Sequence, residues 1–242
     1  MKKQPKDYIA LALDNTADLQ MLESLIKITA PFIGTFKIGL EQFTRFGPTV
    51  LDIVRKNNAH IFLDLKYHDI PNTVAKAIEA ACSLGVDFCT IHTSGGSAMM
   101  KAAAEAVRNA KANGLAAPKL IGVTVLTSIS AEALHNELNV SQTPAAYAAH
   151  LARLAAASGL DGIVCSPADL TEVKKNTPAG FEIITPGIRP AGADLNDQAR
   201  VATPQEAIRN GATLLVIGRP ITGAKDPAEA AQEICALCAS VA

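Results

Sequence analysis

Between positions 64 and 73 the chain reads Asp64-Leu65-Lys66-Tyr67-His68-Asp69-Ile70-Pro71-Asn72-Thr73, crowding carboxylates, an ammonium, an imidazole and a hydroxyl into one short stretch. In an extended chain alternate side chains share a face, so Asp64 and Lys66 are expected side by side. Each charge then favours the ionised state of the other. A charged lysine suits proton donation, whereas Schiff-base or other nucleophilic chemistry needs the neutral amine. The plainer alternative is a surface ion pair followed by a helix cap.

Lys37 stands in another apolar segment and adds a second cation, so Lys37, Asp64, Lys66 and Asp69 form a set of alternating sign. Two acids could bind magnesium, but interleaved lysines repel a cation, and no Cys/His cluster accompanies them, so no metal is demanded. No serine sits in an evident nucleophile elbow. A different chemistry belongs to Gly187-Ile188-Arg189 and Gly218-Arg219. Glycine lets backbone approach an anion and arginine grips it bidentately, which suits phosphate. The polar, small-residued run from 190 to 204 could fold over that phosphate as a lid, with Gln198 reaching the ligand.

These residues need a scaffold, and the hydrophobic pattern supplies one. Residues 8–13, 35–38, 61–65, 86–92, 120–126, 162–165, 182–185 and 214–217 read as short buried strands. Helical spacing covers 16–28, 41–57 with a break near Pro48, 74–84 opened by Pro71, 97–113, 131–137, 144–158, 167–176 and 227–240. This alternation fits an α/β protein with a (β/α)8 TIM barrel, one domain over residues 1–242; an open parallel sheet is the nearest alternative. In a barrel, Asp14, Lys37, Asp64, Lys66, His92, Thr127, Arg189 and Arg219 all fall at or just beyond the carboxyl ends of strands. One mouth would collect them, and the loops after the seventh and eighth strands are where barrels commonly hold phosphate.

Composition narrows the classes further. At 242 residues, 49% of them apolar, the chain has ample material for a core. A net charge of −1 argues against a general nucleic-acid surface. No apolar run approaches the ~18 residues of a membrane span. The start Met1-Lys2-Lys3-Gln4-Pro5 lacks the apolar stretch of a signal peptide, so a cytoplasmic location is expected. The five cysteines are scattered and odd in number, which suits a reducing compartment. Cys235 and Cys238 have redox or zinc spacing, but they read as two small helix residues one turn apart.

Taken together, these segments resemble the orotidine 5′-phosphate decarboxylase family. The resemblance runs along almost the whole chain through Ala12-Leu13-Asp14, Phe36-Lys37-Ile38-Gly39, Phe62 to Thr73, His92-Thr93-Ser94-Gly95-Gly96, Val125-Leu126-Thr127-Ser128, Pro186-Gly187-Ile188-Arg189-Pro190 and Ile217-Gly218-Arg219-Pro220. Tyr67 stands where many relatives have phenylalanine. The resemblance implies a stand-alone, cofactor-free barrel homodimer that converts orotidine 5′-phosphate to uridine 5′-phosphate (UMP) in pyrimidine biosynthesis. It implies that Asp14 and Lys37 hold the ribose hydroxyls and Asp64 stands near the substrate carboxylate, while Lys66 protonates C6 of the pyrimidine. Asp69 and Thr73 would act across the dimer, and Thr127 and Ser128 would line the pyrimidine pocket. Arg189, Gln198, Gly218 and Arg219 would bind phosphate.

The Asp-x-Lys-x-x-Asp core is shared with related sugar-phosphate decarboxylases and synthases. Those relatives use magnesium and carry an acid near the second strand's end, where this chain has Lys37. They are one competing reading; a non-catalytic uridine-nucleotide-binding barrel is the other.

Overall fold

A computed structural model describes residues 3–14, 16, 18–190 and 201–241. A 3-10 turn at Pro5–Tyr8 leads into β1 (Ile9–Ala12), followed by α1 (Leu19–Thr29), β2 (Thr35–Gly39), α2 (Leu40–Phe46) and α3 (Thr49–Lys56). Next come β3 (His60–Tyr67), α4 (Pro71–Ser83), β4 (Phe88–His92), α5 (Gly96–Ala112) and β5 (Lys119–Val123). Then α6 (Ala131–Asn136), α7 (Pro144–Ala157), β6 (Gly162–Val164), α8 (Leu170–Lys175) and β7 (Glu182–Thr185) follow. The chain closes with α9 (Pro204–Arg209), β8 (Leu214–Ile217), α10 (Arg219–Thr222) and α11 (Pro227–Ala239). All eight strands are parallel and pair in sequence order, with β8 returning to β1 to close the barrel. The open-sheet alternative is excluded.

Local chemistry explains most boundaries. Asp226 caps α11 by accepting hydrogen bonds from the Ala228 and Glu229 amides, and Pro227 takes the first helical position. Thr203 and Glu206 form a reciprocal capping box at α9. Gly47, at φ 58°, and Pro48 split the stretch 41–57 into α2 and α3, as expected. Other expectations shift. The first helix starts at Leu19, because Asp18 caps it through the Gln20 amide, and not at 16. The third strand extends to Tyr67, and the fifth ends at Val123 instead of 126. The stretch 167–176 begins as a 3-10 turn at Pro167–Asp169. Helices α9 and α10 are additions to the helices that the spacing predicts.

Period-two alternation divides the strands' side chains between two cores. Leu11, Phe36, Ile61, Leu63, Cys89, Ile91 and Ile163 face the helices in a large outer core. Ala10, Phe62, Ile121, Ile184 and Leu214 pack inside the barrel, four of them from odd-numbered strands, as layered barrel interiors require. Burying a side chain such as Phe62 is worth roughly 1.5–3 kcal/mol. Two residues beyond that layer, on the same inward face, stand Ala12, Asp64, Val123 and Pro186, and all four line the cavity above it. The packed interior is therefore the floor of the mouth.

Cys235 and Cys238 lie one turn apart on α11 and are free thiols. No helix among the described residues is long and apolar enough to cross a membrane.

Candidate active site

The mouth at the carboxyl ends of the strands encloses a cavity of ≈ 420 Å³, a size typical of small-molecule sites. Asp14 after β1, Lys37 on β2, and Asp64 and Lys66 on β3 form one wall; Thr127 after β5 contributes to the next. Gly187, Arg189, Gly218 and Arg219, from the ends of β7 and β8, complete the opposite side. In a ring of eight strands β7 lies diametrically across from β3.

The charged residues of the first wall interlock. Lys37 Nζ lies 3.6 Å from Asp14 Oδ1 and 3.3 Å from Asp64 Oδ2, and the Lys66 ammonium donates to that same Asp64 oxygen at 2.8 Å. Asp64 and Lys37 are only 7% and 8% exposed, so these charges hold one another where water cannot screen them well. Gly39 makes room for the arrangement: a Cβ there would come within 3.0 Å of Asp14 Oδ1 and 3.1 Å of Lys37 Nζ. Burial pushes the Asp64 carboxyl up, but Lys37 and Lys66, aided by hydrogen bonds from Lys66 and Thr90, outweigh it and hold the group below the usual carboxylate range.

The backbone that presents Lys66 is not a plain strand. Among the described residues three non-glycines have left-handed φ; two are the tolerant asparagines Asn58 and Asn139, and the third is Lys66 at φ 51°. That conformation costs roughly 1–2 kcal/mol for a residue with a Cβ. It coincides with a register shift, because Leu63 pairs with Cys89 but Tyr67 with Ile91, so β3 carries four steps against two on β4. Simple alternation therefore gave the right neighbours for the wrong reason: a bulge, not a regular pleat, aims Lys66 at Asp64. The Lys66 amide donates to Thr90 Oγ1 at 2.9 Å, and that hydroxyl donates to Asp64 Oδ1 at 3.0 Å. Thr90 escaped the sequence reading. Its signal was a lone hydroxyl on the inward-facing position of an otherwise apolar strand, two residues after Phe88.

Asp69 is not part of this wall. It is exposed, and its Oδ1 accepts from the Ile70 amide at 2.7 Å. Asp14 takes the outer place in the alternating set, so the sequence of contacts is Asp14, Lys37, Asp64, Lys66. Thr73, in the first turn of α4, is likewise exposed and outside the cavity, and so is Ser128. The helix cap considered for this segment does not form, since Ile70 occupies the N-cap position without a side-chain bond. His92 ends β4 half-buried beside His68, with ring centroids 5.4 Å apart; burial, then His68 and Lys66, lower its pKa.

The opposite side is built differently. Gly187 has φ 77°, a conformation that favours glycine. Arg189 is buried, with Nη1 donating to the Ile188 carbonyl at 2.9 Å while Nε has no hydrogen-bond partner among the described residues. Burial and the neighbouring Arg219 lower its pKa. The Arg189 amide donates to Ala202 O, which ties the strand end to the approach to α9. Gln198 and the centre of the expected lid lie outside the described residues. Among those described, no three His, Cys, Asp or Glu side chains converge to hold a metal ion.

Known proteins share this arrangement of sequence and fold. The chain is 48% identical over 237 residues to orotidine 5′-phosphate decarboxylase of Moorella thermoacetica, covering 98% of this chain and 94% of the relative. It is 44% identical over 233 residues to the protein of that name from Prochlorococcus marinus, covering 96% and 95%. The crystal structure of orotidine 5′-phosphate decarboxylase from Lactobacillus acidophilus superposes with a TM-score of 0.82 at 38% identity, covering 95% of this chain and 98% of that one. The family model described as orotidine 5′-phosphate decarboxylase / HUMPS matches residues 7–234, and the chain belongs to that family.

Proposed function

We propose that this protein decarboxylates orotidine 5′-phosphate to UMP, a step of pyrimidine biosynthesis, with Lys66 as the proton donor. The observation that carries this reading is the Asp14–Lys37–Asp64–Lys66 array, centred on buried Lys37 and Asp64, facing two arginines across one cavity. When the bond between C6 and the carboxylate breaks, carbon dioxide leaves and the electron pair stays on C6, in the ring plane. No carbonyl is placed to delocalise it, so the site must supply stabilisation on the order of 20 kcal/mol. A fixed ammonium is already present at that point. Lys66 Nζ stabilises the developing charge and then transfers a proton to C6, forming the C–H bond of the product. Solvent returns the proton to the amine.

Asp64 orients Lys66 by accepting its hydrogen bond, and the family resemblance assigns it a place near the substrate carboxylate. Lys37 and Asp14 meet the ribose hydroxyls, and Thr127 borders the pyrimidine. Gly187, Arg189, Gly218 and Arg219 receive the phosphate; the unsatisfied Arg189 Nε is a donor without a protein acceptor among the described residues. Gln198 is assigned to the phosphate by the family resemblance alone. Asp69, Thr73 and Ser128 stand outside the cavity of the single chain. By the family resemblance Asp69 and Thr73 act in the site of a second copy, in a homodimer with shared sites, and the exposed Ile70 beside them, 67% accessible, suits a surface that becomes covered. Ser128 stands by the rim next to Thr127.

Turnover tests the reading directly. The protein mixed with orotidine 5′-phosphate in the presence of a chelator is expected to show the ultraviolet change of orotate decarboxylation. No turnover would sink the proposal. Chelator-sensitive activity on a sugar phosphate would place the chain instead with the magnesium-dependent branch of the family.

A further inference from the structure

The bulge in β3 creates a problem that a regular strand would not have. With β3 taking four steps against two on β4, the regular pairing is interrupted around Lys66, and Lys66 is left in a backbone conformation that lysine disfavours. One side chain of β4 fills the gap. Thr90 is completely buried, sits between Cys89 and Ile91, and faces inward where the bulge opens. A hydroxyl has one donor and two acceptor sites. Thr90 accepts from the Lys66 amide and gives its proton to Asp64 Oδ1. The other Asp64 oxygen is thereby left to the two ammonium groups, Lys66 at 2.8 Å and Lys37 at 3.3 Å.

We propose that Thr90 is a positioning residue for the decarboxylation: its hydroxyl sets both the backbone that carries Lys66 and the rotation of the carboxylate that Lys66 and Lys37 share. Thr90 has no exposed surface with which to meet substrate, so it acts through Lys66 and Asp64. The inference rests on the decarboxylase reading above. A valine of nearly the same shape would fill the space, but it would strand the Lys66 amide and Asp64 Oδ1 without their partner. Proton transfer to a carbanion demands placement to within a fraction of an ångström, whereas ribose and phosphate are gripped elsewhere in the cavity.

The experiment compares Thr90→Val, Thr90→Ala and Thr90→Ser in the full-length protein, measuring kcat, KM and UMP affinity, with thermal unfolding as a check on folding. Serine and alanine both delete the methyl group, so that pair isolates the hydroxyl even if valine disturbs folding. In Thr90→Val and Thr90→Ala, kcat is expected to fall about ten- to hundred-fold, with UMP affinity within a few-fold of native. Thr90→Ser is expected to recover most of the rate. Equal kcat in the alanine and serine variants would overturn the role of Thr90, and so would a loss of rate matched by an equal loss of UMP affinity. If the unaltered protein fails to turn over orotidine 5′-phosphate, the functional reading fails first, and the two failures are distinguishable.

Discussion

The two sides of the mouth are built on opposite plans. On the β1–β3 side, side chains bond to side chains: Asp14, Lys37, Asp64 and Lys66 meet in series and Thr90 braces the centre. On the β7–β8 side, the chain presents glycines and two arginines, with the buried Arg189 Nε lacking a partner among the described residues. The difference teaches where preorganisation is needed. A group that must stabilise charge only in the transition state has to be oriented in advance. A group that grips a spectator phosphate need only have donors to offer, because its binding energy is used through closure and alignment.

If the first side is a preorganised electrostatic device, removing its central carboxylate should hurt the chemical step far more than it hurts binding. Asp64→Asn is expected to lower kcat by about 10²–10³-fold while UMP still binds. A steady-state assay with near-native kcat would reduce the array to a structural ion-pair network. The next test asks whether the wall is complete within one chain. Asp14→Asn and Asp69→Asn proteins should each be strongly impaired, and mixing them should restore about one quarter of the native sites if Asp69 serves a neighbour. Absence of recovery after subunit exchange would place Asp69 in the site of its own chain, and a near-native Asp69→Asn protein would place it outside the chemistry.

The β7–β8 side, proposed to hold phosphate, should respond in another way. Arg219→Ala is expected to raise KM for orotidine 5′-phosphate by about ten- to hundred-fold, with a smaller fall in kcat; a fall in kcat alone would erase the contrast between the two sides. The smallest effect concerns stability. Because the folded-state pKa of Asp64 lies below its ordinary value of 3.8, its charge contributes stability above that pH and loses it as pH falls through the lower folded pKa. Thermal unfolding should therefore show the advantage of the native chain over Asp64→Asn narrowing below about pH 4. A pH-independent difference would mean that the ion pairs are not its source.

The same contrast decides what could be read without a structure. Strand ends were legible because a buried parallel strand is a run of apolar residues and a charge that follows or interrupts it marks the mouth, which found Asp14, Lys37 and Asp64, while Arg189 stood out through the glycine turn before it. Gly47-Pro48 and Asp226-Pro227 punctuated the helices as local rules require. The bulge was not legible, since the backbone at Lys66 answers to a hydroxyl 24 positions away on another strand. Asp69 was misplaced for a related reason: closeness in sequence put it beside Lys66, but the turn after β3 carries it out to the surface. Helix α9 had a readable capping signature, Thr203-Pro204-Gln205-Glu206, that the polar connection before it obscured.

The central claim is that Lys66 performs the proton transfer inside a prebuilt charge array. The most direct measurement is decarboxylation of orotidine 5′-phosphate by Lys66→Ala beside its affinity for UMP. Loss of general-acid and electrostatic stabilisation together predicts a rate down by roughly 10⁴-fold or more, with UMP affinity changed far less. A near-native rate would show that another group donates the proton and would contradict the account.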